Sequence, residues 1–184
     1  MIVFLDIETT GLDPDRHSMW ELALIARDDD GDHEYHWQLP VDLATADAAA
    51  LRISRYYDRC QTLGGEILQL EPVAATGETV TKLARLVAHI LDGATLVGAV
   101  PSFDAGFIEK WLRTNGSCPT WHHRLRCVET LTAGHLRNPK IGGLAHCCQA
   151  LSITQEGEHT ALGDARAARD IWDHIVGAPT GLNA

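Results

Sequence analysis

Long apolar runs are missing from this chain of 184 residues: no stretch approaches the roughly 18 consecutive apolar positions needed to cross a bilayer. The apolar opening Met1-Ile2-Val3-Phe4-Leu5 stops at Asp6 with no basic residue before it, which is not the pattern of a secretory signal. No membrane association is expected. Cysteine is too sparse and too poorly spaced for a disulfide framework or a zinc ribbon, because Cys60, Cys118, Cys127, Cys147 and Cys148 are odd in number and form no Cys-x-x-Cys pair. A reducing cytoplasm is the expected compartment. Positive charge is scarce too: 15 Lys and Arg stand against 25 Asp and Glu, a formal balance of −10. That is the wrong sign for a protein that holds nucleic acid by neutralising phosphates. Carboxylates can nevertheless handle polyphosphates when they hold divalent cations, since the bound ion reverses the local sign. What remains is ordinary. With 45% hydrophobic and 22% charged residues the composition is globular, which excludes a disordered or low-complexity chain. No repeat or linker divides it, so a single domain over residues 1–184, long enough to bury its own core, is expected.

Ile2 to Glu8 is apolar on both faces until Asp6 and reads as a central buried strand. Thr9-Thr10-Gly11-Leu12-Asp13-Pro14 breaks it. Two further strand-like runs, Trp20 to Arg27 and Glu34 to Leu39, are joined by an aspartate-rich stretch whose Asp30-Gly31 pair favours a tight hairpin. An antiparallel meander of three strands follows. Residues 46 to about 59 turn helical, and Val80, Leu83, Ala84, Val87, Ile90 and Leu91 repeat at the spacing of an amphipathic helix. Thr95 to Val100 is a short strand, Asp104 opens a helix, and another strand is expected near Leu125 to Val128. Helices are read from about Leu144 to Leu151 and over the stripe Ala161, Ala165, Ala168, Trp172 and Ile175. The expectation is an α/β fold: one mixed five-stranded sheet, antiparallel over its first three strands and then parallel, flanked by helices.

Side chains alternate along a strand, so Asp6 and Glu8 share one face, with Val3, Leu5 and Ile7 on the other. They stand at the carboxyl end of the strand, where open α/β sheets place their sites. Asp104 also follows a strand, although its plainer reading is an N-cap. Asp164 stands about 40° from Ala168 round the last helix and borders its buried stripe, where a carboxylate needs a partner or a metal. His159 precedes it by five residues, in a loop made plausible by Gly157. A mobile imidazole there suits a general base near neutral pH. Gathering these carboxylates is unfavourable, since unit charges 4 Å apart repel by about 4 kcal/mol at an effective dielectric of 20. Divalent cations resolve the conflict. Oxygen-only ligands suit Mg²⁺ or Mn²⁺, and a pair of such ions is the clamp used for in-line displacement at phosphate.

Three motifs in order, Phe4-Leu5-Asp6-Ile7-Glu8-Thr9-Thr10-Gly11-Leu12, Ser102-Phe103-Asp104 and His159-Thr160-Ala161-Leu162-Gly163-Asp164-Ala165, resemble those of the DEDDh exonucleases. This is the superfamily of the proofreading subunit of bacterial replicative polymerases. The resemblance covers the whole chain. It implies a ribonuclease-H-like fold, 3′ to 5′ hydrolysis at nucleic-acid 3′ ends, two Mg²⁺ or Mn²⁺ ions and 5′-mononucleotide products. It further implies that Asp6, Glu8 and Asp164 bind one metal, that Asp6 touches the other, that Asp104 acts mainly through water and that His159 deprotonates the attacking water. Thr9, Thr10, Gly11, Leu12 and Phe103 are the implied substrate contacts, with Leu12 against the terminal base. One departure stands out. Ala99 and Val100 replace the His-Asn that many members carry before the second motif, which removes polar support from the substrate end. Glu129-Thr130, where Asp-Thr is frequent, receives no role.

Arg52, Arg55 and Arg59 fall on one face of the expected helix, and Arg124, Arg126, Arg137 and Lys140 outweigh Glu129 between residues 121 and 140. Both are candidate flanks for a phosphate backbone. Cys147-Cys148 beside His146 reads as buried packing, because adjacent helical residues diverge by about 100°. DNA is the favoured substrate, in single-stranded or frayed form, within replication or repair and with a polymerase or similar protein as a possible partner. The alternatives are an RNA-directed enzyme of the same fold and a catalytically silent interaction module, and the intact Asp6, Glu8, Asp104, His159 and Asp164 weigh against the latter. An acidic chain that grips only a few terminal nucleotides is expected to act distributively.

Overall fold

The computed structural model describes residues 1–60, 68–69 and 80–177. Strands β1 (Ile2–Thr9), β2 (Met19–Asp28) and β3 (Gly31–Gln38) form the expected antiparallel meander, with Phe4 opposite Ile25 and Leu24 opposite Tyr35. Asp28 pairs with Gly31, so the hairpin loop is Asp29-Asp30, closed by the Asp30 amide donating to Asp28 Oδ1 at 2.9 Å. Gly31, with φ 127°, is the first residue of β3, so that strand begins three residues before the Glu34 expected from the sequence. On the other side of β1, β5 (Thr95–Gly98) and then β6 (Arg126–Cys127) add in parallel. These are the five expected strands. A short β4 (Leu68–Gln69) extends the edge beyond β3, giving the order β4-β3-β2-β1-β5-β6.

The buried faces of β1 explain the layers. Val3, Leu5 and Ile7 pack with Leu83, Val87, Phe107 and Ile108 of α3 (Val80–Ile90) and α4 (Pro101–Thr114). Phe4 faces the opposite way, among residues of α6 (Leu144–Leu151) and α7 (Ala161–Val176), with Val128 at the start of α5 (Val128–His135). Alanines at 161, 165 and 168 bring α7 close to β1 and β2, opposite the small Ala23. Its outer side is tied down by charge. Arg27 bridges Asp32 at 2.6 Å and Asp173 at 2.5 Å, while Arg166 and Arg169 reach Glu34. The last helix is therefore fixed to the sheet from both its apolar and its polar sides.

Three local expectations change. The helix read over 46–59 divides into α1 (Ala48–Ile53) and α2 (Tyr56–Arg59), because Arg55 adopts a left-handed φ of 53° between them. Arg52 and Arg55 stay exposed, but Arg59 turns inward, so the proposed arginine stripe does not exist. Helix α4 starts at Pro101, whose fixed φ and missing N–H suit the first helical position, and Asp104 lies in its first turn instead of capping it. Helix α5 is an addition to the expected elements; its Glu129 carboxylate stands beside the glycine that begins α6 and accepts from the Leu144 amide. Cys147 and Cys148 are buried, as read from the sequence.

Candidate active site

The candidate site begins where β1 leaves the sheet. Register with β2 shifts between Glu8 and Thr9, so the strand ends just past its two carboxylates. Thr9 and Thr10 are buried and occupied internally: Thr9 Oγ1 donates to Gly11 O at 2.7 Å, and Thr10 Oγ1 accepts from the Ser18 amide at 3.0 Å. The turn is thereby made rigid, and Leu12 at its tip is left 78% exposed. Phe103 packs on Phe107 with ring centroids 5.0 Å apart, next to Asp104.

Asp6, Glu8 and Asp164 converge, each offering an oxygen within 4.8 Å of the others. Asp6 and Glu8 come from one strand face, and Asp164 descends from the first turn of α7, which Thr160 caps by accepting from the Gly163 amide at 3.1 Å. Gly163 is required there. A Cβ on it would stand 2.5 Å from Glu156 O and nearer still to Gly157 O, so only glycine lets the loop carrying His159 lie against the helix. Asp104 lies outside the trio and is almost wholly buried, yet it is the strongest single charge acting on Asp6.

Burial, and then the charges of Asp104, Asp164, Glu8 and Glu21, hold Asp6 well above the usual carboxylate range. Burial and the neighbouring Glu21 push Glu8 up to about 8 against the opposing field of Arg59. Burial takes Asp104 to about 7, although its own amide and that of Ile7 donate to it. Asp164 is raised by burial too, opposed by Gln155 Nε2 at 2.7 Å and by His159. Among the described residues neither Asp6 nor Glu8 is ion-paired, since the one nearby guanidinium, that of Arg59, is committed to Glu21. Four carboxylates with oxygen donors only, none of them ion-paired to a Lys or Arg among the described residues, fit a hard divalent cation.

His159 sits at the border of this cluster, close enough for its charge and its backbone amide to act on Asp164. Its imidazole is half-exposed, 3.8 Å from Glu158, and its backbone has the left-handed φ of 59°. The structure thus brings oxygens of Asp6, Glu8 and Asp164 within 4.8 Å of one another, with Asp104 and His159 near enough to act on them and the Thr9 to Leu12 turn leading away. Val100, in the place of the family's asparagine, is half-exposed at the N-cap of α4 and offers no side-chain cap.

Glu21 escapes the sequence reading. It is 1% exposed, sits opposite Glu8 across the sheet, and binds His36, Arg59 and the Ala161 amide. Burial alone would raise it, but those hydrogen bonds and the Arg59 charge hold it below the usual range. A signal existed: it is the one carboxylate inside the buried run Met19 to Ala26. A cleft of about 550 Å³ between β6, α5 and α7 is lined by Leu125, Leu131, Trp172 and Ile175 and contains none of the site residues.

The family model described as exonuclease, of the RNase T type, matches residues 3–171. A comparison with curated proteins finds none that matches. Among solved structures, Escherichia coli exonuclease I bound to a dT13 oligonucleotide is similar with a TM-score of 0.65 and 19% identity over 95% of this chain and 41% of its own. A structure of exonuclease I concerned with how processivity is achieved gives 0.68 and 15% over 97% and 41%. The zinc-bound form of the E. coli enzyme with single-stranded DNA gives 0.68 and 18% over 95% and 40%. The chain therefore spans about two-fifths of the length of these proteins, and the likeness is one of fold.

Proposed function

This chain belongs to the exonuclease family, and we propose that it hydrolyses phosphodiester bonds one nucleotide at a time from the 3′ end of single-stranded or frayed DNA, releasing 5′-mononucleotides with the help of two Mg²⁺ or Mn²⁺ ions. The observation that supports this reading is the convergence of Asp6, Glu8 and Asp164, with no ion pair to a Lys or Arg among the described residues. Asp6, Glu8 and Asp164 would hold one ion, with Asp6 and Asp104 toward the other. Bound there, the ions supply electrostatic stabilisation to the charge that builds up on the phosphate oxygens. The chain's own residues do the rest. The rigid Thr9-Thr10-Gly11 turn and the exposed Leu12 form a shelf for the terminal nucleotide, with Phe103 beside it, and His159 takes the proton of the attacking water. The oligonucleotide and single-stranded DNA complexes of the structural neighbours support DNA over RNA, and the zinc-bound one supports a divalent ion. Matched DNA and RNA strands of one sequence, digested side by side, test the substrate: faster release from DNA is expected, and a preference for RNA would replace this reading.

Removing a general base costs about 10² to 10⁴ in rate, on the order of 3 to 5 kcal/mol. His159→Ala is accordingly expected to lower kcat by that factor while Mg²⁺ affinity, measured by titration calorimetry, changes little. Turnover equal to the parent's at pH 7 would remove His159 from the role.

Charge sets the mode of action. Two divalent ions change the balance only from −10 to −6, by adding four charges, so long-range attraction to a polyanion stays poor. Arg124, Arg126, Arg137 and Lys140 are all exposed and form the one remaining basic flank proposed from the sequence. Distributive digestion by this chain is expected, with any processivity in the cell coming from a partner such as a polymerase. In a trap assay, excess competitor strand should stop digestion after a few cleavages, whereas long uninterrupted digestion or cutting of circular strands would contradict the argument.

A further inference from the structure

We propose that Arg59, anchored by Glu21, is a positioning residue that holds the loop bearing His159 in its working conformation; the inference rests on the base role given to His159 above. The inward turn of Arg59 is the first observation. Its guanidinium pairs with Glu21, donates from Nη1 to Ser54 O at 2.7 Å and to His159 O at 2.7 Å, and lies over the Trp20 ring at 5.1 Å from the centroid. Glu21 is the second. The same Oε2 that receives Arg59 accepts from the Ala161 amide at 3.1 Å, while Oε1 meets His36 Nε2 at 2.9 Å. One buried ion pair thus grips the chain on both sides of Thr160, at the carbonyl of His159 and at the amide of Ala161.

His159 needs such a grip. A non-glycine residue in the left-handed region persists only where its surroundings over-determine it. Its own side chain does not provide that: it is half-exposed and, among the described residues, its one ion pair is the loose 3.8 Å contact with Glu158. The restraint is on the backbone, and it arrives from a different layer of the fold. The break between α1 and α2 acquires a reason as well: a continuous helix would leave Arg59 on the solvent face with Arg52 and Arg55, whereas the turn at Arg55 delivers it to Glu21. Arg59 makes no hydrogen bond or ion pair with the three carboxylates, but its charge reaches Glu8, so the share of its effect that passes through His159 is the share lost once His159 is already alanine.

The test is a double-mutant cycle on the full chain, with kcat and KM measured on a single-stranded DNA oligonucleotide with excess Mg²⁺. Arg59→Gln is expected to lower kcat by about 10- to 100-fold with KM within about threefold, and to cost less than about threefold once His159 is already alanine, because residues acting through one group are non-additive. Arg59→Lys is the second variant: it keeps the Glu21 charge paired, so the fold is retained, but a single ammonium lacks the planar fork that serves several acceptors at once. It is expected to lose kcat by a smaller factor with the same non-additivity. Equal losses in the two backgrounds, or parental kcat in both Arg59 variants, would overturn the proposal. Hydrogen exchange on the metal-free protein gives a readout independent of catalysis: amides of residues 155–161 should exchange faster in both variants while those of β1 stay protected. Unchanged exchange in that loop overturns the proposal on its own. If His159→Ala alone leaves turnover unaltered, the base assignment fails, and the exchange result still decides whether Arg59 holds the loop.

Discussion

Asp6→Asn is expected to reduce turnover by about 10³ to 10⁴ and, at pH 8 without metal, to raise the melting temperature. The two effects have one cause. Asp6 stands at the centre of the cluster, where Asp104, Asp164, Glu8 and Glu21 all act on it, so an amide in its place relieves repulsion in the metal-free fold. In the proposed reading the same change also removes a negative oxygen that would be shared between the two ions, and losing charge stabilisation worth about 4 to 6 kcal/mol in the transition state corresponds to that loss of rate. Asp164→Ala should act alike on turnover but gain less stability, because Asp164 has the Gln155 amide as a partner at 2.7 Å. Steady-state kinetics on a 3′-labelled strand, together with thermal melts in EDTA, check both limbs. An Asp6→Asn protein that is well folded and fully active would remove the trio from the chemistry. One that melts lower than the parent would show that the carboxylate supports the fold instead of straining it.

The parts of this site that follow a strict period were legible in the sequence. Alternation placed Asp6 and Glu8 on one face of β1, and the helical stripe of Ala161, Ala165 and Ala168 placed Asp164 at its edge, because each pattern is enforced by burial on both sides. The loop ahead of α7 was legible from Gly157, which adopts φ 73° there. The arginines did not. A helix read through residue 59 treats three basic residues as a solvated face, and nothing local says that Arg55 will adopt φ 53°. The break is decided by a partner 38 positions away in sequence, Glu21, whose buried charge is satisfied by Arg59 and His36. Asp104 shows the opposite error. Local chemistry suggested an N-cap, but Pro101 takes the first helical position and moves the aspartate into the first turn, buried and pushed up to about 7. Long-range electrostatic pairing thus escaped the sequence, whereas hydrophobic periodicity did not.

Without divalent metal, the protein should lose stability as pH rises from about 5 to 8.5, and Mg²⁺ should restore most of it at the alkaline end. Glu8 is pushed up to about 8 and Asp104 to about 7, with Asp6 and Asp164 also raised, against ordinary values of 3.8 and 4.5. Between those limits the folded state keeps protons that the unfolded state has already released, so unfolding free energy falls with pH. The stabilising contribution is complete below about pH 4 and disappears as pH passes through the folded values. Elsewhere the sign is reversed: Asp32 and Glu34 are lowered, chiefly by hydrogen bonds from Arg27 and Arg166, and their contribution is lost only as pH falls below about 4. The two trends do not overlap in the range proposed. Each tenfold difference in proton affinity between the folded and unfolded states is worth about 1.36 kcal/mol. Because the cluster is partly open to water, a net loss on the order of 2 kcal/mol is expected, or about 4 to 8 °C in melting temperature for a chain of this size. Cations are expected to reverse the trend because they would bind the deprotonated cluster, and binding to the folded state alone stabilises by mass action. Melts in EDTA and in millimolar Mg²⁺ across this range read the effect directly. A flat EDTA profile between pH 5 and 8.5 would mean that the cluster's repulsion is already neutralised within the fold. An Mg²⁺ increment that failed to grow with pH would mean that the ion binds somewhere other than Asp6, Glu8 and Asp164.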